Sequence, residues 1–224
     1  MLLRASWGRI LALKHLKWVL VCLIWVVLAV LCGPSHPLAA SSADPKGSAA
    51  DAVRQLINDV RSLSTITEVS QRRNTLDKID SGLAIREVAR QSLGAQWGKI
   101  DRAEQDRFVH LLTRALETTA YPRAARALQS VVISFGDERS ERAGRMVSAS
   151  VSKPEGGSIP VSFLMGKSAK RWQVVDVVVD GQPLSKALSA RVQGALAKDG
   201  YPKLVSDLEK QVNAAESDKT AVNR

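Results

Sequence analysis

The period of the hydrophobic residues changes from that of a helix to that of a strand near residue 127, and this change constrains the fold more than any other feature. Beyond it, apolar and polar residues alternate in three runs, 131–135, 147–151 and 159–165, and residues 171–179 (RWQVVDVVV) are apolar on both faces. Alternation of this kind predicts strands. Gly136-Asp137 and residues 154–157 and 166–170 predict the turns between them. The pattern therefore predicts a four-stranded antiparallel meander.

Helical periodicity precedes and follows these strands. An apolar stripe runs from Val53 to Leu63, a short helix over residues 85–93 ends before Gly94, and Asp101 predicts the N-cap of the next helix. That helix is expected to end at Tyr121-Pro122, because a residue before proline disfavours the helical conformation. Two further helices are predicted, over residues 184–197 and from residue 202 to about residue 215. Helices, then strands, then helices indicate an α+β fold.

The last predicted strand needs cover on both faces. By alternation, Val175, Val177 and Val179 lie on one face, and the other face carries Trp172, Val174 and Val178. A sheet clamped by helices is a common way to build an apolar cavity. The predicted fold class is therefore a four-stranded antiparallel sheet, preceded and followed by helices that enclose an apolar pocket.

The N-terminus has the order of a secretory signal peptide. Four Lys/Arg without an acidic residue precede the apolar run 19–31 (VLVCLIWVVLAVL), and small residues follow Gly33-Pro34. Residues 1–40 are the predicted signal peptide, which implies export; an uncleaved membrane anchor is the alternative. A flexible tether (41–50), a single domain (51–216) and a disordered tail (217–224) are predicted to follow. Both cysteines lie in the apolar run or next to it, so the mature chain has no thiol.

The mature chain offers few groups for catalysis. Without residues 1–40 it has 28 Lys+Arg and 22 Asp+Glu, a net charge of +6, and these charges are interleaved without stacking aromatics, which argues against nucleic acid as a partner. Its one histidine, His110, is predicted on the polar face of a helix. A lone histidine without cysteine indicates neither a metal cluster nor a nucleophile–histidine pair.

Two carboxylates on the last strand are the remaining catalytic candidates. Asp176 and Asp180 are about 13 Å apart by strand rise, which is too far for a glycosidase pair. Asp176 lies between valines and needs a polar partner, so a structural anchor is favoured over a catalytic site. The chain is therefore predicted to be a binding protein and not an enzyme, without a metal or cofactor.

Over about residues 51–211 the chain carries a set of spaced marks: Leu93-Gly94, Trp97, Phe108, Tyr121, Ile159-Pro160-Val161, the run WQVVDVVVDG at 172–181, Leu184-Ser185 and Arg191. In these marks it resembles a known family, the periplasmic MlaC-like proteins of Gram-negative bacteria, which are also described as toluene-tolerance or phospholipid-shuttle proteins. Gln182-Pro183 and Val175 depart from the usual pattern. With these departures the chain resembles divergent relatives of the family, including the hopanoid-associated HpnM branch.

The resemblance implies a carrier that moves phospholipid, or a hopanoid-type lipid, between an outer-membrane lipoprotein/porin complex and an inner-membrane ABC transporter. An envelope adaptor of the same fold that binds no lipid is the alternative. The expected pocket lining consists of inward strand residues facing one helix, and each can equally be ordinary core. The strand residues are Val147, Val161, Phe163, Val175 and Val177, and the helix residues are Phe108, Leu112 and Leu116. Arg90 and Arg191 are the candidates for the lipid headgroup.

Overall fold

The computed structural model describes residues 47–142, 144–152, 156–168 and 171–222. The predicted signal peptide and most of the tether lie outside these residues. The first helix, α1 (Ala49–Ser62), begins two residues before the predicted start, because the Ser48 side chain accepts a hydrogen bond from the Asp51 amide and caps it. Ala49 and Val53 are completely buried, so the helix start is already part of the core.

Two short helices, α2 (Val69–Ser81) and α3 (Ile85–Leu93), follow α1. As predicted, α3 ends at Gly94, which has a positive φ of 52°. The linker between α2 and α3 lies along strand β4 (Arg171–Val179). The Val174 amide donates to Gly82 O and the Ala84 amide donates to Val174 O, both at 2.9 Å. This linker satisfies backbone groups at one edge of the sheet, which an exposed edge would leave unpaired.

Helix α4 (Arg102–Ala115) confirms the predicted cap, since the Asp101 side chain accepts from the Glu104 amide at 2.8 Å. The predicted end at Tyr121-Pro122 is wrong. The chain passes through a π-helical turn (Leu116–Ala120) into α5 (Tyr121–Gln129), and the Tyr121 amide donates to Leu116 O. Pro122 lies in the first turn of α5, a position that proline often occupies.

The sheet is antiparallel and its strands are in sequence order, as predicted, but it has five strands and not four. The strands are β1 (Val132–Glu141), β2 (Gly144–Ser152), β3 (Ser158–Ser168), β4 and β5 (Gln182–Pro183). The two-residue β5 pairs with Val178 and Val179. The turn predicted at Gly136-Asp137 is instead an irregularity within β1, where the pairing register shifts between Phe135 and Glu138.

A second register shift changes the faces of β4. Leu164 pairs with Asp176 whereas Met165 pairs with Val174, so Val175 is an extra residue in a β-bulge. A Cβ placed on Gly166 would lie 2.7 Å from Val175 Cγ2, so the Val175 side chain covers Gly166. Trp172 and Val174 pack in one cluster with Val147, against which Val177 also packs. Simple alternation placed Trp172 and Val174 on the face opposite Val177, and that assignment is therefore wrong for Trp172 and Val174.

The last helix, α6 (Leu184–Val222), is interrupted at Gly200, where φ is 76° and ψ is 172°. This break agrees with the two predicted helices, but the second one continues to Val222, beyond the predicted end near residue 215. The interior consists of three apolar clusters: α1 against the sheet, α3 with α4 and α6, and α1 and α2 with α5. Leu83 packs against all three clusters.

Candidate functional site

One face of the sheet carries a continuous apolar surface. Val147, Phe163 and Val177 form one cross-strand row, and Ala149 and Val161 belong to the next. Helix α1 covers this face around Val147, which is completely buried. Phe163 and Val177 are half-buried and border this cluster. The apolar face is therefore wider than its buried part.

The structure divides the predicted lining residues between different places. Val147, Val161, Phe163 and Val177 share the face covered by α1, whereas the bulge turns Val175 over Gly166. The helix residues are elsewhere. Phe108 and Leu112 are buried in the cluster of α3, α4 and α6, and Leu116 borders that cluster and the cluster of α1, α2 and α5. The predicted strand and helix residues therefore belong to different apolar clusters, and α1 packs against the sheet face that carries the strand residues.

Four half-buried leucines, Leu56, Leu83, Leu116 and Leu128, lie where the clusters meet; they are called the junction here. Leu56 and Leu128 each border the sheet cluster and the α1–α2–α5 cluster. Sequence reasoning identified Leu56 and Leu83 by their helical spacing and Leu116 as lining, but missed Leu128. Leu128 lies near the end of α5, where periodicity gives little signal.

An open cleft of about 680 Å³ lies beside α3 and α4. Apolar groups from Leu83, Ile85, Trp97 and Val109 line it, together with polar and charged side chains that include three arginines, Arg86, Arg90 and Arg102. Its lining is mixed rather than apolar. An enclosed apolar pocket therefore stays a prediction.

Of the two arginines predicted to bind a headgroup, Arg90 lines this cleft. It contacts both carboxylate oxygens of Glu87, at 2.8 and 2.5 Å. These hydrogen bonds raise the pKa of Arg90 and lower that of Glu87. Arg191 is exposed on α6. The Arg90 guanidinium therefore carries full positive charge at any physiological pH.

Asp176 has the polar partners that its position between valines requires. One carboxylate oxygen accepts from the Ser185 amide at 2.9 Å and the other from the Ser185 hydroxyl at 2.5 Å. Because Ser185 is in the first turn of α6, the carboxylate caps that helix and faces its positive end. Asp176 thus anchors the start of α6 to strand β4.

A second buried polar group lies where α2 meets α5. The Tyr121 hydroxyl donates to Asp80 at 2.7 Å, and burial raises the pKa of Asp80 to about 6. Glu117, only 3% exposed, forms ion pairs with Arg73 at 3.4 Å and with Arg114. The ion pair of Glu117 with Arg73 therefore joins the π-helical turn to α2, and the hydrogen bond of Tyr121 to Asp80 joins α5 to α2.

Other candidate chemistry is limited within the part of the chain that the structure describes. There, no three His, Cys, Asp or Glu side chains are grouped so as to hold a metal ion, and His110 is exposed on α4. No helix within residues 47–222, apart from the undescribed gaps, is long and apolar enough to span a membrane. The predicted signal or anchor lies outside the described residues.

Comparisons with known proteins agree with this fold. A phospholipid-binding protein from Ralstonia solanacearum, whose structure contains a phospholipid, matches with a TM-score of 0.62 and 16% identity, over 76% of this chain and 99% of the other. That likeness concerns the fold. No curated protein sequence matches. The family model of the MlaC protein matches residues 48–210, well over half of the 224 residues. The chain belongs to the MlaC family.

Proposed function

We propose that the chain is a periplasmic carrier that moves a phospholipid, or a hopanoid-type lipid, between the outer membrane and an inner-membrane ABC transporter. The junction is the observation that carries this proposal, because it joins three apolar clusters in a fold shared with a protein that holds a phospholipid. Family membership supports a binding and transport role rather than catalysis.

The acyl chains would enter between the clusters along the junction. The four junction leucines are half-buried, and each borders at least two clusters, so helices can separate there without breaking the interior of any single cluster. Each buried CH₂ group contributes about 0.8 kcal/mol. Acyl chains that fill the opened space replace the contacts that the clusters lose, so lipid uptake needs little net loss of apolar burial.

The headgroup would lie in the open cleft. Leu83 lines this cleft and also belongs to the junction, so a lipid with its tails among the clusters places its polar end there. Arg90 and its neighbours Arg86 and Arg102 supply guanidinium groups suited to a phosphate. Arg86 and Arg90 each pair with a carboxylate, and a phosphate competes for these donors.

Native mass spectrometry with lipid extraction, on protein purified gently from the periplasm, tests the function. We expect a mass excess that corresponds to a phospholipid or hopanoid, which also identifies the cargo class. A mass without lipid, together with no uptake from phospholipid vesicles, would reject the carrier function and leave the adaptor role.

Leu83→Ala tests the junction, with Leu76→Ala as its matched control. Leu76 is also half-buried but borders only the α1–α2–α5 cluster among the three. We expect Leu83→Ala to lower the bound lipid at least tenfold relative to Leu76→Ala, at a temperature where circular dichroism shows both variants folded, because it removes side-chain contact to all three clusters. Equal lipid content in the two variants would place the acyl chains elsewhere.

A further inference from the structure

One end of the sheet is rich in cations. It is formed by the β1–β2 and β3–β4 turns with their flanking residues, and is called the hairpin end here. Its described cations are Arg139, Arg142, Arg145, Lys167 and Arg171, and its acids are Asp137, Glu138 and Glu141. The strand and turn residues described at the opposite end, 150–152, 156–160 and 178–182, contain one charge, Asp180. The sheet is therefore electrically asymmetric along its strands.

Three of these cations are available to a partner. Arg139, Arg142 and Arg171 are exposed and form no ion pair with any residue that the structure describes. Glu138, in contrast, is already engaged, because it pairs with Arg145 at 3.2 Å and accepts from the Ala50 amide at 3.1 Å. Asp137 and Glu141 are also exposed, so the described charges of the hairpin end, five cations and three acids, sum to +2.

The N-terminal part of the chain joins the domain at the same end. The Trp172 indole N–H donates to Gly47 O at 3.3 Å, beside the start of β4. Fifteen residues, 32–46, separate the apolar run 19–31 from Gly47. An extended chain of that length spans at most about 55 Å. In the alternative of an uncleaved N-terminal anchor, a bilayer that holds the apolar run is therefore within reach of the hairpin end.

We propose that the hairpin end docks on the anionic headgroups of a bilayer surface and holds the domain with the opposite end of the sheet pointing away. The charge complementarity of Arg139, Arg142 and Arg171 and the point of chain entry both select this partner. Each Lys or Arg near an anionic surface strengthens binding about fivefold, so the three arginines contribute about a hundredfold, which the exposed carboxylates of Asp137 and Glu141 partly offset. Salt should weaken the docking, because the arginines are exposed and screened by ions. Lipid uptake is not required for it.

The experiment uses the full chain in vesicles, with Cys22→Ser and Cys32→Ser so that one introduced cysteine carries a fluorophore. Ser140→Cys places the label at the hairpin end, and Ser158→Cys places it at the opposite end. Vesicles of phosphatidylcholine, with or without added phosphatidylglycerol, carry a quencher on the headgroups. We expect the label at residue 140 to be quenched only with phosphatidylglycerol, and the label at residue 158 to be unquenched in both.

A pair of triple variants separates the patch from the overall charge. Arg139→Gln/Arg142→Gln/Arg171→Gln should abolish the quenching of the label at residue 140. The matched control, Arg123→Gln/Arg126→Gln/Lys198→Gln, removes three exposed cations from α5 and α6, loses the same charge and should retain the quenching. Equal loss in both triple variants, equal quenching at both label positions, or an unquenched hairpin label on the anionic vesicles would each overturn the proposal, the last in favour of a protein partner.

Discussion

Replacing Asp80 by asparagine should stabilise the protein near neutral pH. Asp80 is half-buried, its pKa is raised to about 6 chiefly by burial, and the nearby negative charge of Glu117 adds to the shift, while Tyr121 and Arg73 oppose it. At pH 7.5 the folded protein therefore holds an unfavourable carboxylate. An asparagine side chain at this position has an amide oxygen that still accepts the hydrogen bond of the Tyr121 hydroxyl, but it carries no charge.

The size of the effect follows from the pKa. The difference between the ordinary value of 3.8 and about 6 corresponds to about 3 kcal/mol at 1.36 kcal/mol per pH unit. Because Asp80 is only half-buried, solvent screening reduces this to about 1.5 kcal/mol. The folded protein binds the Asp80 proton more tightly than the unfolded chain does. The protonated side chain therefore stabilises the folded state by this amount relative to the carboxylate, and that stabilisation is complete below pH 3.8 and is lost as the pH rises through 6. About half of it is lost between pH 5 and 7.5.

Urea denaturation followed by circular dichroism, at several pH values from 5 to 7.5, measures this dependence. The free energy of unfolding of the native sequence should fall by about 0.7 kcal/mol over that range, whereas that of Asp80→Asn should stay flat and be about 1.5 kcal/mol higher at pH 7.5. Asp77→Asn is the control on the same helix, since Asp77 only forms a surface pair with Arg73. A native curve that rises with pH, or a destabilised Asp80→Asn at pH 7.5, would refute the reasoning.

Three other substitutions test local features of the fold by the same denaturation assay. Asp176→Ala removes the acceptor of the Ser185 amide and should cost about 1 to 2 kcal/mol, whereas an unchanged stability would exclude a capping role. Gly144→Ala should cost about 2 to 3 kcal/mol, because its Cβ would lie 1.8 Å from Met165 O, and a neutral effect would contradict this hairpin geometry. Gly194→Ala has open space in a helix and should stabilise by about 0.5 to 1 kcal/mol; a loss would show that the helix is packed there.

The sequence predicted the helices and strands well where the signal is local. The Asp101 cap, the helix end at Gly94 and the alternation that unites Val147 and Phe163 on one face depend on residues a few positions apart, and all three are present in the structure. The family assignment was equally accessible, since it depends on residues spaced along the chain. Lipid-contacting roles for individual residues remain predictions.

Features that depend on a partner segment were not accessible from local pattern. The π-helical turn carries the chain past Pro122, and its Glu117 is held by Arg73 from another helix. The fifth strand exists only because Gln182 and Pro183 lie beside β4. In both cases the local sequence pattern predicted another conformation, a helix end before Pro122 and no strand at residues 182–183. Contacts with segments distant in sequence decided the conformation instead.

The sequence by itself determined an α+β chain with an antiparallel meander, because the period of two or 3.6 residues is a property of neighbouring residues. Only the tertiary structure decided which faces meet. One extra residue in β4 moves Val175 away from Val177 and brings Val174 to the face of Val147, since a shift of one position reverses every side chain beyond it. The meeting of three clusters at Leu83 is likewise a result of packing between helices that are far apart in the chain.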